Sequence, residues 1–263
     1  MEGGSLAQRL LGNEPFALRP RLVVAVQAAE GLAYLHLEVQ RVHCDLKPDN
    51  ILLDAHGNAR IGDFGLARSL PESRLGTRTS GVAKGTFGYM APEYITSGKV
   101  TAAIDVVSFG VVLLELLSGQ VSPSPAGPIY DRHDELIAAW QDGEEPERAA
   151  FEALVPASLR HENHAICRDL GRLAAQCVHL ARFRPLIKAD AADRSVLDRL
   201  RGLLALMPPA KSSCAICLVN PPVVVMVPCG HQCLCPACSP LVVDTRCPMC
   251  QQPVNQRVVA RPS

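Results

Sequence analysis

The chain has 263 residues, an apolar fraction of 48%, and 26 Lys+Arg against 26 Asp+Glu. That apolar content excludes a mainly disordered chain, and the balanced charge excludes the basic excess expected of a nucleic-acid-binding protein. The length accommodates one large domain, or a medium one with a small one.

Met1 to Leu11 contains neither a basic flank nor an apolar run of signal-peptide length. Arg21 to Leu37 carries Leu22, Val26, Ala29 and Ala33 at helical spacing, which predicts a buried amphipathic helix. Val42 to about Pro92 is turn-rich, with the apolar run Ile51-Leu52-Leu53 broken off by Gly57, Gly62 and Gly65. Asp105 to Leu117 is apolar nearly all round, so a helix there belongs at the centre of a core. Its most apolar part, Val106 to Leu117, is about half the length of a membrane span and includes Ser108 and Glu115. No membrane span is expected, and the chain reads as soluble and cytoplasmic.

Pro123, Pro125 and Pro128 predict a loop. Ile166, Leu170, Leu173, Cys177 and Leu180 then trace one helix face, and Val196, Leu197, Leu200 and Leu204 trace another. Residues 207–213 have linker composition, which divides the chain into domains at 1–206 and 214–263. Val223 to Val227 is a β-branched run that fits a short strand inside a cysteine-rich segment.

Three strings carry chemistry in the first domain. His43-Cys44-Asp45-Leu46-Lys47-Pro48-Asp49-Asn50, Asp63-Phe64-Gly65 and Ala91-Pro92-Glu93 follow one another at separations that resemble the C-terminal lobe of a protein kinase. The resemblance covers roughly residues 5–206. It implies a catalytic base at Asp45, a lysine approaching the transferred phosphate at Lys47, and magnesium ligands at Asn50 and Asp63. It also implies a substrate-docking stretch over Gly85-Thr86-Phe87-Gly88-Tyr89, activating phosphates at Thr77, Thr79 or Ser80, and an ion pair between Glu93 and Arg184. The residues from Asp105 to Gly119, with Cys177-Val178 ahead of Arg184-Pro185, are similar to the receptor-like and interleukin-receptor-associated branch.

Two departures qualify that resemblance. Cys44 stands where the arginine between the His and the Asp is usual. No glycine-rich loop precedes Arg21 and no strand lysine with its partner glutamate is present, so the nucleotide-covering lobe is missing from these residues. Magnesium and ATP are therefore expected only if the kinase half is completed, and exposed apolar surface is expected where that lobe would sit. Lys84, in Val82-Ala83-Lys84, reads as ordinary surface.

Eight of the eleven cysteines fall between Cys214 and Cys250. In a chain without a secretory signal, C-x-x-C pairs indicate metal before disulfide. Cys214, Cys217, Cys229, His231, Cys235, Cys238, Cys247 and Cys250 supply eight N/S ligands, enough for two closed tetrahedral zinc sites with no open catalytic position. Cys233 is spare; it competes with Cys235, but only Cys235 makes a C-x-x-C pair with Cys238.

This spacing resembles the RING finger, and Pro228-Cys229-Gly230-His231 resembles its inhibitor-of-apoptosis subtype. The resemblance implies that Cys214, Cys217, Cys235 and Cys238 hold one zinc, and Cys229, His231, Cys247 and Cys250 the other. It implies a ubiquitin-conjugating enzyme, ubiquitin and protein substrates as partners. The conjugating enzyme would dock on Ile216 and Pro248, with Gln251 where many ligases place an arginine that braces the ubiquitin. The tail Arg257-Val258-Val259-Ala260 reads either as a plain terminal strand or as one that forms a homodimer.

The expected fold is thus mainly α, a kinase-like C-lobe followed by a small two-zinc RING domain. Three functions stay open: a RING-type ubiquitin ligase whose kinase-like half recruits substrates, a serine/threonine kinase with a regulatory RING, and a non-catalytic scaffold. Cys167 and Cys177 read as core thiols. Trp140 reads as packing, and His36, His56, His133, His161, His164 and His179 match no ligand spacing and read as ordinary.

Overall fold

A computed structural model describes residues 2–70, 78–79, 82–122, 127–179, 185, 187, 195–207, 224–227, 232–234, 254 and 256–259 of the chain. Its first helix, α1 (Leu6–Leu11), starts at a capping box: Gln8 N–H donates to Ser5 Oγ and Ser5 N–H donates to Gln8 Oε1. These two bonds satisfy N–H groups that a helix start leaves without partners. Helix α2 (Leu18–Leu37) begins one turn before the expected Arg21 and buries Leu22, Val26, Ala29 and Ala33 as its spacing predicts.

The turn-rich region folds into short antiparallel pairs. Strand β1 (Arg41–Val42) precedes a 3-10 turn at Pro48–Asn50, then β2 (Ile51–Leu53), β3 (Ala59–Ile61), β4 (Arg68–Ser69) and β5 (Arg78–Thr79). β1 pairs with β4, and β2 with β3. Helix α3 (Pro92–Ser97) and strand β6 (Lys99–Val100), which pairs with β5, lead into α4 (Ala102–Ser118).

Every residue of α4 from Ile104 to Ser118 is buried, which makes it the axis of the core. Burying one Leu, Ile or Val contributes about 1.5–3 kcal/mol, so this helix supplies a large part of the apolar burial. Around it lie α5 (Ile129–Arg132), α6 (Asp134–Gln141), α7 (Arg148–Leu154), α8 (Ala157–Val178) and α9 (Val196–Leu206). α8 comes closest to α4, and Gly110 is the reason. A Cβ there would meet Cys177 Cβ at 2.7 Å and the Ala174 carbonyl oxygen at 3.1 Å. α8 also breaks at Asn163 (φ −166°, ψ 97°), whose Oδ1 accepts the Ile166 N–H at 3.0 Å and caps the portion that follows.

Buried Arg21 ties the α1–α2 connection to the end of α4. Its Nε donates to Phe16 O and its Nη1 to Leu116 O, both at 2.6 Å. Burial pushes its pKa down to about 10, which leaves the guanidinium charged at neutral pH, where it complements the C-terminal end of α4's dipole. On α9 the buried face runs through Val196, Leu197, Leu200 and Leu203, with Leu204 at its half-buried margin.

Near the C-terminus β7 (Val224–Val227), β8 (Gln232–Leu234) and β9 (Gln256–Val259) form one antiparallel sheet in the order β8-β7-β9. The tail is a strand, paired within the chain to β7 from Val224↔Val259 to Val227↔Gln256. Cys233 lies in β8. Cys214, Cys217, Cys229, His231, Cys235, Cys238, Cys247, Cys250, Ile216, Pro248 and Gln251 lie outside the described residues, as do Thr77, Ser80, Leu180 and Arg184.

Candidate functional site

One buried carboxylate organises the site. Asp105, in the first turn of α4, is fully buried and accepts from His43 N–H at 2.7 Å, Cys44 N–H at 2.9 Å and His36 Nε2 at 2.8 Å. A buried carboxylate is stable only when its lone pairs are satisfied, and here the donors are the backbone of the loop that carries Asp45. The loop is pinned to the core helix just before Asp45.

Cys44 takes a left-handed conformation, φ +70°. A side chain there costs on the order of 1–3 kcal/mol unless its surroundings impose it, and the two N–H bonds to Asp105 do. Gly85 meets this loop closely: a Cβ at that position would lie 2.8 Å from Cys44 O. The Cys44 thiol is 5% exposed; burial, then the nearby Asp105 charge, pushes its pKa up to about 12. It is a neutral packing group at pH 7 and no nucleophile.

Asp45, Lys47, Asn50 and Thr86 converge. Lys47 Nζ donates to Asp45 Oδ2 at 3.1 Å and to Thr86 Oγ1 at 2.7 Å, while Thr86 Oγ1 donates to Asp45 Oδ1 at 2.7 Å. The hydroxyl thus accepts from the ammonium and donates to the carboxylate, a closed triangle with consistent protonation. Asn50 Nδ2 donates to Asp45 O at 2.8 Å, which holds the amide's nitrogen and leaves its Oδ1 as a free oxygen donor.

Asp63 is held differently. The β2–β3 hairpin brings its neighbour Gly62 to Asn50 through a backbone bond, Gly62 N–H to Asn50 O at 2.8 Å. Asp63 itself is exposed, sits at φ +54°, and accepts from Gly65 N–H at 3.3 Å. Phe64 packs at a tilt against His43, ring centroids 5.3 Å apart, although 51% of it stays exposed. Among the described residues no three His, Cys, Asp or Glu side chains cluster as a metal site.

The stretch from Gly85 to Tyr89 is anchored by a second buried carboxyl. Tyr89 OH lies 2.7 Å from Glu115 Oε1 and also meets Ser122 O, and Ser122 N–H donates to the same Oε1. Burial pushes Glu115 up to about 8. A neutral acid also closes the proton count: one tyrosine hydrogen cannot serve two acceptor oxygens, and a protonated Glu115 supplies the second.

The structure brings Asp45, Lys47 and Asn50 together, whereas His36 reads as ordinary in the sequence. His36 is a buried partner of Asp105, and no ligand spacing announces a pair 69 residues apart. Thr86 stood within a named stretch, without its bridge between Asp45 and Lys47.

The family model for the protein kinase domain matches residues 1–170, and that for a zinc finger of C3HC4 type (RING finger) matches residues 210–257. Among similar proteins of Arabidopsis thaliana, the probable serine/threonine-protein kinase PBL4 is 51% identical over 124 residues, 46% of this chain and 30% of that protein. The proline-rich receptor-like protein kinase PERK8 is 38% identical over 210 residues, 76% of this chain and 30% of its own length. Serine/threonine-protein kinase PBL36 is 36% identical over 183 residues, 68% of this chain and 38% of its length. The chain therefore spans well under half of each of these relatives. With the loop pinned on Asp105, the Asp45–Lys47–Thr86 triangle and these matches together, the chain belongs to the protein kinase domain family and carries a RING-type zinc finger.

Proposed function

We propose that the chain is a RING-type ubiquitin ligase, promoting ubiquitin transfer from a conjugating enzyme to protein substrates that its kinase-family half recruits. The observation that carries this reading is the eight-ligand pattern inside residues 210–257, the segment that matches the RING finger. Seven thiolates and one imidazole suit two structural zinc ions, Cys214, Cys217, Cys235 and Cys238 for one and Cys229, His231, Cys247 and Cys250 for the other. Zinc supplies a cross-link, not chemistry: it ties distant parts of a segment too short for a sufficient apolar core. The antiparallel pairing of β7 with β8, which flank Cys229 and His231 in sequence, supports it. The domain division at 1–206, 207–213 and 214–263 gains support from α9, whose apolar face joins the core that α2, α4 and α8 share. The reading puts the protein in the cytoplasm, where thiols stay reduced; no helix among the described residues is long and apolar enough to cross a membrane.

Ile216 and Pro248 form the anchor for the conjugating enzyme, and Gln251 contacts ubiquitin through a hydrogen bond without charge. The full chain should bind two zinc ions, and each site contributes on the order of 10 kcal/mol to folding. Cys235→Ser should lower the metal content and Cys233→Ser should not. With the wild type, ubiquitin discharge from at least one conjugating enzyme in a panel should accelerate. Ile216→Ala should slow it with zinc content intact, and Gln251→Arg should raise it. Equal discharge with and without the chain across the panel would remove the ligase reading.

The Asp45–Lys47–Thr86 triangle favours a second reading, a serine/threonine kinase. Asp45 would take the substrate hydroxyl proton and Lys47 would face the transferred phosphate. Asn50 Oδ1 and exposed Asp63 fit magnesium, a hard cation that takes few protein oxygens and completes its shell with phosphate and water. The ion would neutralise charge on the nucleotide phosphates. These 263 residues contain no glycine-rich loop or strand lysine, so phosphate transfer by this chain alone is expected to be absent. Transfer to a generic serine/threonine substrate that disappears in Asp63→Asn would put the kinase reading first.

A further inference from the structure

Only five of the 26 Lys+Arg residues are lysines, at positions 47, 84, 99, 188 and 211, so the chain carries most of its positive charge as guanidinium. The two cations differ in chemistry. A guanidinium stays protonated and is no nucleophile, whereas an ammonium that gives up a proton becomes a primary amine able to attack a carbonyl carbon. Side-chain amines that can accept an acyl group are therefore few, and their placement decides where one can be attached.

The fold treats them unequally. Lys47 Nζ is held in the triangle, 3.1 Å from Asp45 Oδ2 and 2.7 Å from Thr86 Oγ1, and its side chain is 21% exposed. Attack from this nitrogen would break both bonds and strip Asp45 of its ion-pair partner. Lys84 and Lys99 are exposed, and neither side-chain amine bonds to another group among the described residues. Lys188 and Lys211 lie outside the described residues.

Both exposed lysines stand on held backbone. Tyr94 OH accepts from Lys84 N–H at 3.2 Å and meets Lys84 O at 3.3 Å. Lys99 lies in β6 opposite Thr79 of β5, and its N–H donates to Ser97 Oγ at 3.2 Å. Ala83 and Val100, the neighbours of the two lysines, pack into one apolar cluster with Cys44 and Tyr94. The two amines thus flank the cluster that supports the Asp45 loop, and Lys84 precedes Thr86 by two residues.

We propose that the chain ubiquitinates itself at Lys84 and Lys99, while Lys47 is spared. The proposal rests on the ligase reading. Ubiquitin arrives as a thioester on a cysteine of the conjugating enzyme, and the lysine Nζ attacks its carbonyl carbon. An amide C–N bond forms and the C–S bond breaks. Of the two protons that the nitrogen loses, one ends on the departing thiol and one in solvent, so no oxidant or reductant is needed. Residues 207–213 span at most about 25 Å, a tether that keeps the finger and the helical domain at high effective concentration. A ubiquitin on Lys84 would crowd the stretch from Gly85 to Tyr89, so the modification would also act as a brake on what that face binds.

The test incubates the full chain with ubiquitin, its activating enzyme, ATP and the conjugating enzyme of the panel that is discharged fastest. Tryptic peptides are read by mass spectrometry for the glycine–glycine remnant that ubiquitin leaves on lysine. Discharge onto free lysine in solution is followed in parallel. Remnants should appear on Lys84 and Lys99 and not on Lys47. Lys84→Arg combined with Lys99→Arg keeps both charges but removes both acceptor amines, so self-modification should fall about tenfold. In that variant the circular dichroism and the rate of discharge onto free lysine should match the wild type. Discharge onto free lysine with remnants on Lys47, on Lys188 or Lys211 alone, or on no lysine of the chain would overturn the proposal and leave the ligase reading standing. Self-modification undiminished in the double variant would do the same. No discharge onto free lysine from any conjugating enzyme would remove the ligase reading, and the proposal with it.

Discussion

Asp45 and Asp63 are both carboxylates of the same loop system, yet the fold treats them in opposite ways. Asp45 is 8% exposed and is held by Lys47, Thr86 and Asn50, on a loop whose backbone is pinned to Asp105. Asp63 is exposed and makes one long bond to its own turn. The chain's own residues thus preorganise the Asp45 side of the site, whereas the Asp63 side is left open. Geometry that is over-determined survives without substrate; geometry built by one exposed turn depends on what binds.

The sharpest way to break this comparison is to remove its anchor. Asp105→Ala strands the His43 and Cys44 N–H groups and His36 in the core. It should cost about 3–5 kcal/mol in chemical denaturation. A loss below 1 kcal/mol, on the order of a surface change, would mean that Asp105 does not hold the loop.

Next in size is the pH dependence of the second buried carboxyl. Glu115 has its folded pKa raised from 4.5 to about 8 by burial. Because the folded state holds the proton more tightly, its contribution is fully present below pH 4.5 and is lost as pH rises toward about 8. Against that burial, the Tyr89 hydroxyl and the Ser122 N–H favour its charged form by hydrogen bonding, while the nearby charges are Asp49, which opposes ionisation, and Arg132, which favours it. Against Glu115→Gln, the wild type should lose on the order of a few kcal/mol of stability across that window. Parallel denaturation curves for the two proteins from acid to mild base would show that Glu115 is not the titrating group.

Thr86→Val keeps the shape and removes the bridge between Lys47 and Asp45. It should cost about 1–2 kcal/mol, and Thr86→Ser should restore most of it. No difference between the valine and serine proteins would dissolve the triangle. At the small end, Asp63→Ala should change stability by no more than about 0.5 kcal/mol, and a larger loss would show that the two carboxylates are not treated differently.

Much of this was legible in the sequence wherever the signal is local. The helices α2 and α4 follow from apolar spacing and continuous apolarity, and the Asp45 loop follows from one contiguous string. The rest depends on approach between distant segments. Thr86 lies 41 residues from Asp45, and Arg21 reaches Leu116 across 95. The break at Asn163 is local, but an asparagine inside a helical pattern announces a cap only once the chain around it has bent. The exposure of Tyr34 and Val39 is not legible in the sequence, because both are residue types that a core would equally accept.

The three cysteines outside the finger have a practical consequence for chemical labelling. Cys44, Cys167 and Cys177 are all buried, and the thiols of Cys44 and Cys167 are held up to about 12. An alkylating reagent at neutral pH needs an accessible thiolate, so it should pass these three by while the fold is intact. The other eight cysteines fall between Cys214 and Cys250. On the zinc reading proposed above, alkylation followed by mass spectrometry after a chelator is added should therefore time the release of the seven ligand thiols, read apart from the spare Cys233 and without background from the helical domain.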